Sequence, residues 1–148
     1  MNQHQTKFSI LATLLLSVVF LTPYCALAVD SIFVQSRLDY NAILISGVDI
    51  VFVYEQEALD AFPASKSEWF GNKREYLEQH GDSVELVSVF IPQGFDSEMV
   101  SLPERRDEAL AVYIYGQHDA SDVGAAEVSQ MEDVLVAIDQ FGILVSPR

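Results

Sequence analysis

The order of apolar and polar residues after residue 30 predicts short β-strands separated by turns. The strand pattern is clearest over residues 48–54, where Ile50, Phe52 and Tyr54 would share one face of a sheet. Residues 110–115 are apolar on both faces, which is typical of a central strand. Further strands are predicted over residues 32–38, 83–91 and 99–102, and a closing hairpin over 134–138 and 143–145. Residues 117–127 are predicted to form a polar loop.

One amphipathic helix interrupts the strands. Ser65 and Glu68 have the spacing of a capping box, and Gly81 supplies the stop, so the helix is predicted between them. Its apolar stripe consists of Trp69, Phe70, Tyr76 and Leu77. A stripe of this kind is more often a core face than a cofactor site, so the helix is expected to lie against the sheet. A shorter helix is predicted over residues 55–62, closed by Pro63.

These elements together predict the fold class. Six or seven short strands with proline and glycine turns and one inserted amphipathic helix indicate a mostly β protein, and we expect a β-sandwich. No internal repeat or long linker divides the chain, so residues 29–148 are expected to form a single domain.

The first 28 residues follow the plan of a secretory signal peptide. Lys7 gives the only positive side chain, an apolar run follows over residues 8–21, and Pro23 ends it. The small residues of Ala26-Leu27-Ala28 are typical of a signal-peptidase site. The apolar run is shorter than the roughly 20 residues that a membrane span needs. We therefore expect cleavage and export, to the periplasm, to the periplasmic face of the outer membrane, or out of the cell.

Cys25 offers a second possibility within this segment, because bacterial lipoproteins carry lipid on a cysteine near the cleavage site. The bulky Tyr24 directly before Cys25 makes a poor lipidation motif, so Cys25 is expected to leave with the signal. The domain would then contact a membrane only if Cys25 were lipidated after all. Without Cys25 no disulfide can form, and the core must supply the stability.

The charge of the chain limits the classes of partner that the protein is expected to bind. The formal net charge is −14, and it becomes −15 if Lys7 leaves with the signal. So large an acidic excess argues against binding nucleic acid. It favours solubility or a cationic partner.

Few residues of the sequence are candidates for catalysis or metal binding. His80 falls at the end of the predicted helix, where it would complement the helix dipole. A metal site could be drawn from His118, Asp119, Asp122 and Glu127, but these residues lack a specific ligand spacing. The sequence contains no nucleophile elbow, phosphate loop or dinucleotide motif. We therefore predict no catalytic residue, no metal, no cofactor and no small-molecule ligand.

The order of features resembles a known family. A secretory start leads to a strand ending in Leu38-Asp39-Tyr40-Asn41, then to the strand Asp49-Ile50-Val51-Phe52-Val53-Tyr54 and a helical insertion. The turn Pro92-Gln93-Gly94 and the strand Ala109-Leu110-Ala111-Val112-Tyr113-Ile114-Tyr115 follow. This order is similar to that of the small outer-membrane lipoprotein of the bacterial type VI secretion system, over most of residues 32–146.

The resemblance implies a transthyretin-like β-sandwich with an added helical element and an adhesive function in the cell envelope. In that family a loop between the first two strands helps to bind the periplasmic region of an inner-membrane protein. The matching positions here are residues 39–46, with Tyr40, Asn41 and Ala42 as the candidate partner-binding residues. Two alternatives stay open: a small secreted enzyme or ligand carrier with a pocket near His118 and Asp122, and a free secreted or surface protein.

Overall fold

The computed structural model describes residues 28–37, 46–92, 94–117 and 124–148. Their strands form two four-stranded sheets. The first sheet has the order β4-β1-β7-β8 and contains β1 (Ser31–Ser36), β4 (Ser97–Met99), β7 (Asp133–Asp139) and β8 (Gly142–Pro147). The second sheet has the order β3-β2-β5-β6 and contains β2 (Ser46–Val53), β3 (Val84–Ile91), β5 (Ala111–Gly116) and β6 (Ala126–Glu127). Neighbouring strands are antiparallel except β1 and β7, which run parallel.

The main core lies between the two sheets. Alternate residues of each strand point inward because the side-chain period of a strand is two. The inward residues of the central strands are aliphatic or aromatic and buried: Ile32, Val34, Val48, Ile50, Phe52, Val112, Ile114, Val134, Val136 and Ile138. The fold is therefore a β-sandwich, as the sequence predicts.

A helical layer covers the outer face of the second sheet. Helices α1 (Gln56–Asp60) and α2 (Lys66–His80) connect β2 to β3. The predicted capping box is present, since the Ser65 hydroxyl accepts from the Glu68 amide at 3.2 Å. The α2 helix stops at Gly81, whose φ of +48° suits glycine. The second core cluster, between α2 and the sheet, contains Val51, Val53, Ala58, Trp69, Tyr76, Val84 and Tyr115.

A buried carboxylate fastens α2 to this sheet. Asp49 is 3% exposed and lies on the outer face of β2, directly opposite Ser88 of β3. Its Oδ2 atom accepts from the Trp69 indole Nε1 at 2.8 Å and from the Lys73 ammonium at 3.0 Å. Its Oδ1 atom accepts from the Ser88 hydroxyl at 2.6 Å. A buried charge is tolerated only when it is paired and hydrogen-bonded, and these three donors meet that condition.

Two predictions of strand position were wrong. The short strand expected over residues 99–102 lies at Ser97–Met99 instead, because it is residues 97–99 that pair with Phe33, Val34 and Gln35 of β1. The polar segment expected to be loop throughout residues 117–127 contains β6, whose Ala126 pairs with Ile114. The main predicted strands, both helices and the closing hairpin are present.

Candidate interaction surface

Four connections between strands emerge at one end of the sandwich, which we call the loop end. The register pairs Ser36 with Ile138, Ser46 with Ile91, and Val48 with Gly116. These pairs place the end of β1, the start of β2 and the ends of β3, β5 and β7 together. The described parts of these connections at the loop end are Arg37, residues 94–96, Gln117, residues 124–125 and the turn at 140–141.

Backbone hydrogen bonds hold the bases of these connections. The Arg37 amide donates to the Ile138 carbonyl at 2.7 Å, and the Ser36 amide donates to the Asp96 carbonyl at 2.8 Å. The Gln117 amide donates to the Gly47 carbonyl at 2.8 Å. Because both sheets contribute to these bonds, the connections start from a rigid base, which is the usual setting of a binding loop.

Two exposed aromatic side chains belong to the same end. Phe90 on β3 is 63% exposed, and Phe141 in the β7–β8 turn is 74% exposed. The turn itself is held by Asp139, whose Oδ1 accepts from the amides of Phe141 and Gly142 at 2.7 and 3.2 Å. Exposed aromatic rings near structured loops are typical of protein-binding surfaces.

The partner-binding residues expected from the sequence, Tyr40, Asn41 and Ala42, lie outside the described residues, as does Cys25. What the structure adds is the position of the flanking strands. Residues 37–45 link the end of β1 in the first sheet to the start of β2 in the second, and both of these strand ends are at the loop end. Phe90 and Phe141 were not singled out from the sequence, because a single aromatic residue near a turn does not reveal whether it is buried.

A pocket of about 440 Å³ lies beside α2, away from the inter-sheet core. Polar residues on one side of the helix and the 61–64 segment form its walls: Ala61, Phe62, Pro63, Ala64, Glu68, Asn72, Glu75, Tyr76, Gln79 and His80. His80 lies in the last turn of α2, where the sequence places it, and its ring centroid is 4.6 Å from that of Tyr76. The Nε2 atom of His80 is buried and has no hydrogen-bond partner among the described residues.

Tyrosines border this pocket and an aromatic cluster behind it, in which the rings of Phe62, Trp69, Tyr76, Tyr113 and Tyr115 pack against one another. Burial raises the pKa of Tyr76 to about 12, and the neighbouring phenols of Tyr113 and Tyr115 add to the shift. Burial likewise raises the pKa of Tyr115 to about 12, and the carboxylate of Glu68 contributes. The Tyr76 hydroxyl donates to the Ala58 carbonyl at 2.7 Å, and the Tyr115 hydroxyl donates to the Pro63 carbonyl at 2.6 Å. These phenols stay neutral near pH 7 and hold α1 and the 61–64 segment in place.

In the described part of the chain, no group of three histidine, cysteine or acidic side chains is arranged to hold a metal ion. His118, Asp119 and Asp122, the candidates from the sequence, lie outside that part. Glu127 is on β6, where its carboxylate accepts from the Ser129 hydroxyl at 3.2 Å. Among the helices described, none is long and apolar enough to cross a membrane.

Comparison with known proteins gives structural matches only. No protein-family model matches the chain, and no curated protein matches it in sequence. Three solved structures are similar over four-fifths of this chain. The type VI secretion lipoprotein TssJ1 from Pseudomonas aeruginosa is 11% identical, with 82% of this chain and 97% of that chain covered and a TM-score of 0.49.

The second match is Lip from Serratia marcescens, a membrane-bound component of the type VI secretion system. It is 6% identical, with 80% of this chain and 98% of that chain covered and a TM-score of 0.47. The third is a chain of a type VI membrane complex, which is 13% identical, with 80% and 99% covered and a TM-score of 0.50.

The chain shares the fold of the type VI membrane-complex chain. The resemblance predicted from the sequence is thereby confirmed for the fold. The match spans nearly the whole of the solved chain, so it includes both sheets rather than one shared hairpin.

Proposed function

We propose that this chain is a non-enzymatic binding domain of a type VI secretion assembly in the cell envelope. The observation that carries the proposal is the fold, which the chain shares with a component of a type VI membrane complex over 99% of that component. The export signal expected over residues 1–28 would bring the domain to the compartment where such an assembly is found.

Within this proposal the loop end is the contact surface. Tyr40, Asn41 and Ala42 contact the periplasmic region of an inner-membrane protein, and Phe90 and Phe141 extend the same surface. Three features support this choice: residues 37–45 connect the two sheets, their base is hydrogen-bonded, and two exposed aromatic rings belong to the same end. The acidic charge of the chain favours a basic surface on the partner.

Attachment to the outer membrane depends on Cys25. If the signal is cleaved after Ala28, the domain is free in the periplasm. If Cys25 is acylated, the domain is tethered. Intact mass of the protein from the soluble and membrane fractions distinguishes these forms, because an acylated chain begins at Cys25 and is heavier.

The experiment that tests the assembly role has two parts. Deletion of the gene in the native host should abolish type VI-dependent killing of a competitor strain, and the wild-type gene should restore it. A double variant Tyr40→Ala and Asn41→Ala should fail to restore killing while the protein accumulates at the normal level. Leu110→Ala provides a matched control, because Leu110 is 51% exposed at the opposite end of β5. Full killing by the deletion strain would contradict the role itself. Full killing by the double variant alone would contradict only the assignment of the surface.

A second candidate, a ligand carrier, is favoured by the 440 Å³ pocket beside α2, whose volume is in the range of small-molecule sites. Glu68 and Glu75 in its walls would select a cationic ligand. A thermal-shift screen of amines and guanidines tests this function, with Glu75→Gln as the pocket variant and Glu78→Gln as the matched variant outside it. Stabilisation that Glu75→Gln abolishes and Glu78→Gln preserves would support a carrier.

A further inference from the structure

The outer edge of β8 is a free strand edge in the described part of the molecule. β8 is the last strand of the first sheet, and its described partner is β7 alone. Its six residues, Gly142 to Pro147, contain no charge. Proteins usually protect a long edge with a charge, a bulge or a cover, because unpaired backbone groups attract other strands. The other long edge strand, β3, carries Glu85 within it. β8 has only Pro147, at its end.

The register identifies which backbone groups of β8 are free. The amide of Arg148 donates to the Asp133 carbonyl at 2.9 Å, so this pair is hydrogen-bonded. Hydrogen-bonded and non-bonded pairs alternate in an antiparallel ladder. Leu144 and Ser146 therefore bond to β7, whereas the amide and carbonyl groups of Ile143 and Val145 point away from it. Pro147, which has no amide hydrogen, occupies the next outward position, as expected for an edge.

A cavity lies beneath the same edge. Its volume is about 180 Å³, and its described walls include Ile114, Ala126, Ile143 and Val145 from strands of both sheets, with Lys66 on one side. Apolar cavities of about 150 Å³ in other proteins have room for a benzene molecule. An inward side chain of a strand added beside β8 would enter this space.

The opposite face beside β8 combines apolar and acidic groups. Leu144 is 61% exposed, and its partner on β7 is Ala137. Asp139 pairs with Gly142, which has no side chain to cover it. At the far end of β7 the same face carries Asp133, but Arg148 lies opposite Asp133, and the Arg148 guanidinium extends over the Phe33 ring. An added strand would therefore meet an apolar centre with one uncovered carboxylate, Asp139, at the end of β8 next to the turn.

We propose that the β8 edge binds an extended segment of another protein that has aliphatic residues at its centre and a lysine or arginine at the end that lies beside Gly142. The segment adds an antiparallel strand to the first sheet, bonds to Ile143 and Val145, and places a basic side chain across Gly142 toward Asp139. This is strand addition, in which backbone hydrogen bonds give affinity and alternate side chains give specificity. A second copy of the chain is the less suitable occupant, because each copy has a formal charge of −14 and like charges repel. The proposal stands apart from the secretion role and does not require it.

The test uses an acetylated and amidated peptide with the sequence lysine, threonine, valine, leucine, valine, lysine. Amide hydrogen exchange of the full protein is measured by NMR with and without this peptide. At saturation the exchange of the Ile143 and Val145 amides should slow at least tenfold. The amides of Leu144 and Ser146, already bonded to β7, should change less than twofold.

Two control peptides separate the backbone and charge contributions. A peptide N-methylated on both valines keeps its side chains but loses the donors that face β8, so it should not bind. A peptide with glutamate in place of the C-terminal lysine, which lies beside Gly142 in this register, should bind at least tenfold more weakly. In the protein, Asp139→Asn keeps the acceptor of the turn and removes the charge, so it should weaken binding of the lysine peptide at least threefold. Asp96→Asn makes the same charge change at an exposed site and should leave binding unchanged.

Several outcomes would overturn the proposal. They are no binding of the lysine peptide, equal binding of the N-methylated peptide, or protection that lies outside β8. A dimer seen by analytical ultracentrifugation, with concentration-dependent protection of Ile143 and Val145 in the absence of peptide, would show that the edge pairs with a second copy instead.

Discussion

Removal of the Asp49 carboxylate should destabilise the fold more than any exposed acidic substitution. In Asp49→Ala the buried Trp69 indole loses its acceptor, and the Lys73 ammonium and the Ser88 hydroxyl lose theirs. Truncation of one member of a buried charged pair costs about 3–5 kcal/mol. The Lys73 side chain is 37% exposed and can be hydrated, so the larger part of the loss comes from Trp69, which is fully buried. We expect a loss of about 3–4 kcal/mol in the free energy of unfolding.

The isosteric variant separates charge from hydrogen bonding. In Asp49→Asn the amide oxygen can accept from Trp69 and Lys73, and the amide nitrogen can donate to the Ser88 hydroxyl. Only the charge is lost, so the expected loss in the free energy of unfolding falls to about 1–2 kcal/mol. This is about the amount by which hydrogen bonds to a charged group are stronger than neutral ones.

Equilibrium unfolding in urea measures both variants, with Asp96→Ala as the exposed control, for which a change within about 0.5 kcal/mol is expected. A double-mutant cycle of Asp49→Ala with Trp69→Phe should show a coupling energy of about 1–3 kcal/mol, because the two residues share a hydrogen bond. A loss below about 1 kcal/mol for Asp49→Ala, or no coupling, would refute the role of Asp49 in holding α2 to the sheet.

Three further predictions concern the core. Trp69→Ala should lower the free energy of unfolding by about 3–5 kcal/mol because it empties the centre of the aromatic cluster, and an unchanged urea midpoint would contradict the packing of α2. Gly116→Ala should lower the free energy of unfolding by about 1–3 kcal/mol through overpacking, because an added Cβ would lie 2.6 Å from Cγ2 of Ile143. In urea unfolding, a second substitution, Ile143→Ala, should recover part of this loss. The raised pKa of the Tyr76 phenol means that the folded state holds the phenol proton more tightly than the unfolded state. The stability that the neutral phenol contributes is therefore complete below pH 10 and is lost as the pH rises toward 12. When urea unfolding is repeated over a series of pH values, the free energy of unfolding of Tyr76→Phe should fall less steeply between pH 10 and pH 12 than that of the wild type. Parallel curves would contradict a raised pKa of Tyr76 in the folded state.

Much of the fold follows from local sequence patterns. The alternation in residues 48–54 places Ile50 and Phe52 on one face and Val51 and Val53 on the other, and the structure uses both faces as core. The capping box at Ser65 locates the start of α2 because the cap is a contact between residues three apart.

The rest of the fold depends on contacts between residues that are distant in sequence. Such contacts leave no local pattern in the sequence. Asp49 interrupts an apolar strand, and its sequence gives no sign that Trp69 and Ser88, 20 and 39 residues away, would satisfy it. The parallel pairing of β1 and β7 was not predicted for the same reason. The candidate surface was only partly predictable, because the choice of Tyr40, Asn41 and Ala42 came from a family resemblance, whereas the exposure of Phe90 and Phe141 depends on the packing around them.

Because β1 pairs with β7 rather than with a neighbour in sequence, the first sheet cannot close until both ends of the domain are present. The Ser31 hydroxyl donates to the Asp133 carboxylate across 102 positions of the chain. A domain with such distant contacts folds slowly, because the entropy lost in closing a long loop precedes the favourable contacts between its ends. During synthesis, the β1 segment therefore stays without its partner strand until Asp133–Asp139 has been made. If the chain is exported as proposed, this delay would keep it in the open form that passage through a narrow translocation channel requires.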